Sequence, residues 1–150
     1  MLVDKLVYEC GFSCGQMFGK RALDKLTKIN SNIELREMVN DWFDFDAEAG
    51  FGMLKQTEDI AFQKNDKSSD VISGRIEYTD NFQRRDKIDY PNEVCNFIRG
   101  YCKGVLRIFV NRKHYDYKFD LKCNKEEFCD RHGGSGLKCV FDVIATEGEK

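Results

Sequence analysis

Apolar residues at the start of the chain recur in steps of three and four. Leu2, Leu6, Val7, Cys10, Cys14, Met17, Phe18 and Leu26 share one side of a helical cylinder, so the spacing predicts a long first helix over residues 2–26. Gly11, Gly15 and Gly19 interrupt it at intervals of four. Three helical glycines cost roughly 2–3 kcal/mol relative to alanine, and a flat stripe allowing close backbone approach would offset that, within the chain or across a dimer. After the break at Ile29-Asn30-Ser31-Asn32, Ser31 and Glu34 have capping-box spacing for a second helix. It carries Leu35, Met38, Val39 and Trp42 and ends between Asp44 and Gly50.

Beyond that point the period shortens to two. Gly50-Phe51-Gly52 opens a stretch through Phe62, and after the polar turn Lys64 to Ser69 the residues Ile72, Gly74, Ile76 and Tyr78 alternate with Ser73, Arg75 and Glu77. This pattern reads as an antiparallel hairpin. Asp80 to Tyr90 is charged and aperiodic, and Pro91 stands where a helix can begin. In that third, central helix Val94, Cys95, Phe97, Ile98, Tyr101, Cys102, Val105, Leu106 and Phe109 form a wide apolar face opposite Asn96, Arg99 and Lys103. Between His114 and Cys123, Tyr115, Tyr117, Phe119, Leu121 and Cys123 alternate with polar residues as in a half-buried strand. Leu137 to Ala145 is a second such strand with Cys139, Phe141 and Val143 on one face, and Asn124 to Gly136 connects the two.

The length of 150 residues suits one domain, 1–150, with a real core, and 41% hydrophobic residues including 12 Phe supply the packing material. Lys and Arg number 24 against 26 Asp and Glu, for a net charge of −2, which removes the broad basic excess of a nucleic-acid binder. No apolar stretch approaches the span of a bilayer, and Met1 to Leu6 has no secretory pattern. The expectation is a cytoplasmic protein without membrane insertion or direct nucleic-acid binding.

Cysteine departs most from average composition. Seven thiols, an odd number, point to reduced cysteines rather than a disulfide framework. Cys10, Cys14 and Cys102 fall within helical apolar patterns and are expected as small buried hydrophobes. Cys123, Cys129 and Cys139 cluster in polar sequence, where packing explains them less well. Cys123 and Cys139 would stand at facing ends of adjacent strands and could bring two thiolates to one zinc ion, with Cys129 and His132 as further donors. The alternative is a set of unliganded, reduced thiols. Gly133-Gly134-Ser135-Gly136 reads as a turn rather than a phosphate cradle, since no helix follows. His114 falls on a polar strand face. No dinucleotide fingerprint, nucleophile elbow or redox-cofactor motif points to an enzyme.

The run Cys95-Asn96-Phe97-Ile98-Arg99-Gly100-Tyr101-Cys102-Lys103-Gly104, then Cys123, then Cys139-Val140-Phe141 resembles the 4-vinyl reductase-like domain family. Tyr8 to Gly15 and Gly50-Phe51-Gly52 look like that family's first helix and its glycine-rich lead into the sheet, so the resemblance covers nearly the whole chain. It implies an α+β fold with an antiparallel sheet packed against helices. That fold is similar to those of aromatic-sensing domains and small vesicle-tethering subunits, and its members are usually homodimers. It also implies a domain that binds a small hydrophobic or aromatic ligand, with Phe51, Tyr78 and Tyr101 as pocket residues, and a structural zinc held by Cys95, Asp120, Cys123 and Cys139. Asp120 precedes Cys123 by three residues, so joining it on one side of the strand requires a bulge or a strand end. Cys129 and His132 are its rivals as fourth ligand. A reductase or accessory factor of a tetrapyrrole or pigment pathway, and a dimeric scaffold, are the alternative roles.

Overall fold

The helical and alternating stretches become distinct elements in a computed structural model that describes residues 2–50, 53–63, 71–79, 93–112, 117–123 and 139–146. Their order is α1 (Leu2–Ile29), α2 (Leu35–Glu48), β1 (Met53–Gln63), β2 (Val71–Thr79), α3 (Glu93–Val110), β3 (Phe119–Cys123) and β4 (Cys139–Ala145). The expected α+β class with an antiparallel sheet is what forms. The elements divide into two compact units. One holds α1, the start of α2 through Met38, and α3, and the other holds α2 from Val39 onward and all four strands.

In the helical unit the glycine stripe decides the packing. Gly11 lies against the backbone of Phe97 and Tyr101, Gly15 against Tyr101 and Val105, and Gly19 against Val105 and Ile108. Because the contacts advance together along both helices, α1 and α3 run parallel. From the other side, Gly100 lies against Tyr8 and Phe12, and Gly104 against Phe12 and Gln16. A Cβ at Gly11, Gly15, Gly100 or Gly104 would overlap a carbonyl oxygen of the opposite helix. The stripe therefore serves an internal seam. Aromatic and basic side chains line it: the Arg99 guanidinium lies 4.5 Å from the centre of the Tyr8 ring, and the Phe18 and Tyr101 rings are 6.2 Å apart.

Two local expectations change. The thiols of Cys10 and Cys14 are exposed, whereas Cys102 is buried. The reason lies in the seam, for the side of α1 that meets α3 is the glycine side, and the two cysteines stand well round the cylinder from it. Ser31 does not cap α2. The Asn30 side chain instead accepts the Asn32 N–H at 3.0 Å, and the first helical bond runs from Met38 N–H to the Glu34 carbonyl. At the other end of α2, Gly50 adopts φ +83°, the left-handed conformation that favours glycine after a helix.

In the sheet unit the strand order is β1-β2-β4-β3, all antiparallel. Ile76 pairs with Phe141, Tyr78 with Cys139, and Leu121 with Val143. One face thus carries the buried Leu54, Ile72, Ile76, Tyr78, Phe119, Leu121, Phe141 and Val143. β1 slips register between Gln56 and Glu58 and again before Ala61. Gln56 secures the irregular stretch: its Oε1 accepts the Ile60 N–H at 3.0 Å while its Nε2 donates to Asn40 Oδ1 on α2 at 2.9 Å. Gly74 of β2 leaves room for Ile60, since a Cβ there would come within 2.8 Å of the Ile60 Cα. On the opposite face Arg75 bridges strands, with Nε 2.6 Å from Asp142 Oδ1 and Nη1 3.8 Å from Glu58 Oε1. β3 begins at Phe119 rather than at His114. Tyr117 and Lys118 lie outside any strand, and residues 113–116 are outside the described set. Among the described residues, no helix is long and apolar enough to cross a membrane.

Candidate functional site

Two of the expected zinc donors are placed by the β3–β4 register. Cys123 pairs with Phe141, and Cys139 stands two residues before Phe141 on the same strand. Since strand side chains alternate between faces, Cys123 and Cys139 occupy the same face as diagonal neighbours. Cys123 is half-buried. Asp120 pairs with Ile144 in a register without a bulge and so belongs to the other face. Its carboxylate accepts the N–H of Leu121 at 2.8 Å. The required bulge is not there, so Asp120 and Cys123 lie on opposite faces of β3.

Cys95 occupies the first turn of α3, in the helical unit. Cys129 and His132 lie outside the described residues, as do His114 and the Gly133 to Gly136 turn. Among the described residues no group of three or more His, Cys, Asp or Glu side chains gathers as a metal centre.

Of the three expected pocket residues, Tyr78 belongs to the sheet unit and Tyr101 to the helical unit. Tyr78 is fully buried near the end of the inner strand β2 and pairs directly with Cys139, so one candidate pocket residue and one candidate zinc donor are adjacent in register. Tyr101 sits half-buried on α3 with its ring against Phe18 of α1, which gives it a packing role in the helical seam. Phe51 lies outside the described residues.

α2 adds Phe43 and Asp46 to the Val39 and Trp42 expected on its apolar face. Val39, Trp42, Phe43 and Asp46 follow the i, i+3, i+4, i+7 spacing of one helix face, and all four are buried. Asp46, 1% exposed, is the single charged side chain buried among the described residues. A carboxylate at the fourth position of an otherwise apolar stripe was the signal for it. Beside it, the Trp42 and Phe43 rings pack 4.7 Å apart. A carboxylate this deeply buried is retained where it meets a polar partner.

No family model matches the chain, and no curated protein matches it. A solved structure does. The phenol-responsive sensory domain of the transcription activator PoxR, determined with phenol, aligns with a TM-score of 0.62 over 95% of this chain at 16% identity. The chain spans 64% of the length of that one. At this identity the likeness is one of fold. The arrangement expected from the resemblance, α+β with an antiparallel sheet as in an aromatic-sensing domain, is the arrangement found.

Proposed function

We propose that the protein is a regulatory domain that binds a small, mostly apolar ligand, aromatic in its preferred form. The carrying observation is its likeness, over nearly its whole length, to a sensory domain that responds to phenol. The residues of the sheet unit support the reading. Trp42, Phe43, Tyr78 and Phe141 supply apolar and aromatic surface, while Asp46 and the Tyr78 hydroxyl supply polar groups able to orient a ligand hydroxyl.

The test uses Trp42, the single tryptophan of the chain and 2% exposed, as a built-in reporter. Phenol, catechol and naphthol added to the purified protein should shift its emission and raise the melting temperature. At a ligand concentration of about one hundred times Kd, the stabilisation expected from mass action is roughly 2.7 kcal/mol. A panel of aromatics that moves neither signal would overturn the sensing role in favour of a scaffold. A homodimer belongs to the same proposal, and light scattering tests it. The glycine stripe on α1 no longer argues for one, because α3 already covers it.

A structural zinc is the second part of the proposal. The positions of Cys123 and Cys139, diagonal neighbours in the β3–β4 ladder, support that pair as donors, and Cys95 is the third that the family resemblance implies. Asp120 does not fit beside them, which leaves Cys129 or His132 as the fourth donor. Zinc bound in this way would contribute folding free energy without taking part in a reaction. Elemental analysis should find about one zinc per chain. Cys123→Ala should lose it and lower the melting temperature, whereas Asp120→Ala should keep it. A zinc-free wild type, or loss of zinc in Asp120→Ala with retention in Cys123→Ala, would refute this donor set.

A further inference from the structure

The exposed side of α1 carries sulfur that the fold does not use. Cys10 and Cys14 are free, solvent-exposed thiols one helical turn apart, and Met17, 59% exposed, follows three residues later. At about 100° per residue the three positions fall within an arc of about 60°. They therefore form one file of soft donors on a single face. Their relation to one another is fixed by the helix, which the seam with α3 holds along Gly11, Gly15 and Gly19 on a different side.

Two features favour a bound ion over the simpler fates of such thiols. Burial does not explain these residues, since all three lie open to solvent. Neither can the two cysteines close on each other while the helix stays intact. Cβ atoms four residues apart in a helix are about 5–6 Å apart, whereas a disulfide needs roughly 3.5–4.5 Å. An ion set between the sulfurs spans that gap. Helical methionines lean toward the N-terminus, which aims the Met17 thioether back over the turn that carries Cys14. Two thiolates and a thioether are a donor set that selects a soft monovalent ion, copper(I) above all, over the harder divalent metals.

We propose that Cys10, Cys14 and Met17 form a surface site for copper(I), distinct in its residues from the candidate zinc donors. On binding, each thiol releases its proton to solvent and both sulfurs coordinate as thiolates, with no change in the oxidation state of the ion. Open to solvent on one side, the site suits exchange of the ion with another soft-ligand carrier.

Anaerobic titration of the full chain with copper(I) against a chromophoric copper(I) chelator tests the site. The wild type should bind one equivalent more than Cys10→Ser/Cys14→Ser, while far-ultraviolet circular dichroism shows the two to be equally helical. X-ray absorption of the copper bound in this extra equivalent should show three sulfur neighbours in the wild type and two in Met17→Leu. Equal copper uptake by wild type and double variant would overturn the proposal. So would a stoichiometry of one such ion per two chains, which would mean a bridge between copies rather than a site on one helix.

Discussion

The helical seam and the sheet core achieve close packing by opposite means. Along α1 and α3 the backbones meet because side chains are missing, and Gly11, Gly15, Gly100 and Gly104 leave no room for even one methyl group. Across the sheet the elements meet through large side chains, with Tyr78, Phe141, Ile76 and Leu121 among those buried on one face. The first region fails when an atom is added and the second when atoms are removed. Sheet glycine Gly74 shows that the division is not by residue type, since it makes way for the Ile60 backbone within the side-chain-packed region.

The comparison is broken most forcefully from the sheet side. Phe141, fully buried at the middle of β4, should on substitution Phe141→Ala cost about 3–5 kcal/mol through lost burial and the cavity left behind, read by chemical denaturation. Addition on the helical side comes next. Gly15→Ala drives a methyl group into the Tyr101 carbonyl, and overpacking of about 1–3 kcal/mol or more should outweigh the gain of about 1 kcal/mol in helix propensity. A melting temperature equal to or above that of the wild type would show that the helices can part without loss, contrary to the seam described.

Smaller effects sharpen the contrast. Arg75→Ala removes the bridge to Asp142 and Glu58 on the half-exposed face, and because such pairs are screened by solvent the loss should be only about 0.2–1 kcal/mol. The least change is expected at Gly19, where a Cβ would meet the Ile108 side chain at 3.1 Å instead of a carbonyl. The atoms met are the Ile108 Cβ and the Val105 Cα, short of ordinary contact by only a few tenths of an ångström, which a small shift of α3 can absorb, so helix propensity and crowding should nearly cancel and Gly19→Ala should fall within about 0.5 kcal/mol of the wild type. Gly15→Ala and Gly19→Ala thus form a matched pair on one helix, and equal effects from both would mean that backbone contact is not what distinguishes them.

Much of this architecture could be read from periodicity. The steps of three and four in α1 and α3 and the alternation in β2 and β4 fixed element type and nearly their limits, because burying one face imposes a repeat on the residues that do it. The same repeat is silent about which apolar file is buried. Cys10 and Cys14 lie in the apolar pattern of α1 and yet are exposed, since the seam is cut along the glycines. Asp46 is the converse, a charged residue whose spacing alone places it with Val39, Trp42 and Phe43.

The candidate site divides along the same line. Chemical type, the abundance of sulfur and the placing of Cys123 and Cys139 on strands were set by the chain, and alternation alone warned that Asp120 would face away from Cys123. The chain already suggested β3 and β4 as neighbours, but not that β2 would be the other neighbour of β4. β4 lies between β2 and β3, and only that order puts Cys139 opposite Tyr78 and diagonal to Cys123. Local pattern encodes which way a residue faces on its own element, because that depends on backbone geometry a few residues long. Partnership between distant elements follows from the packing of whole faces, so the side of α1 that meets α3 and the neighbour of β4 were decided by the tertiary structure.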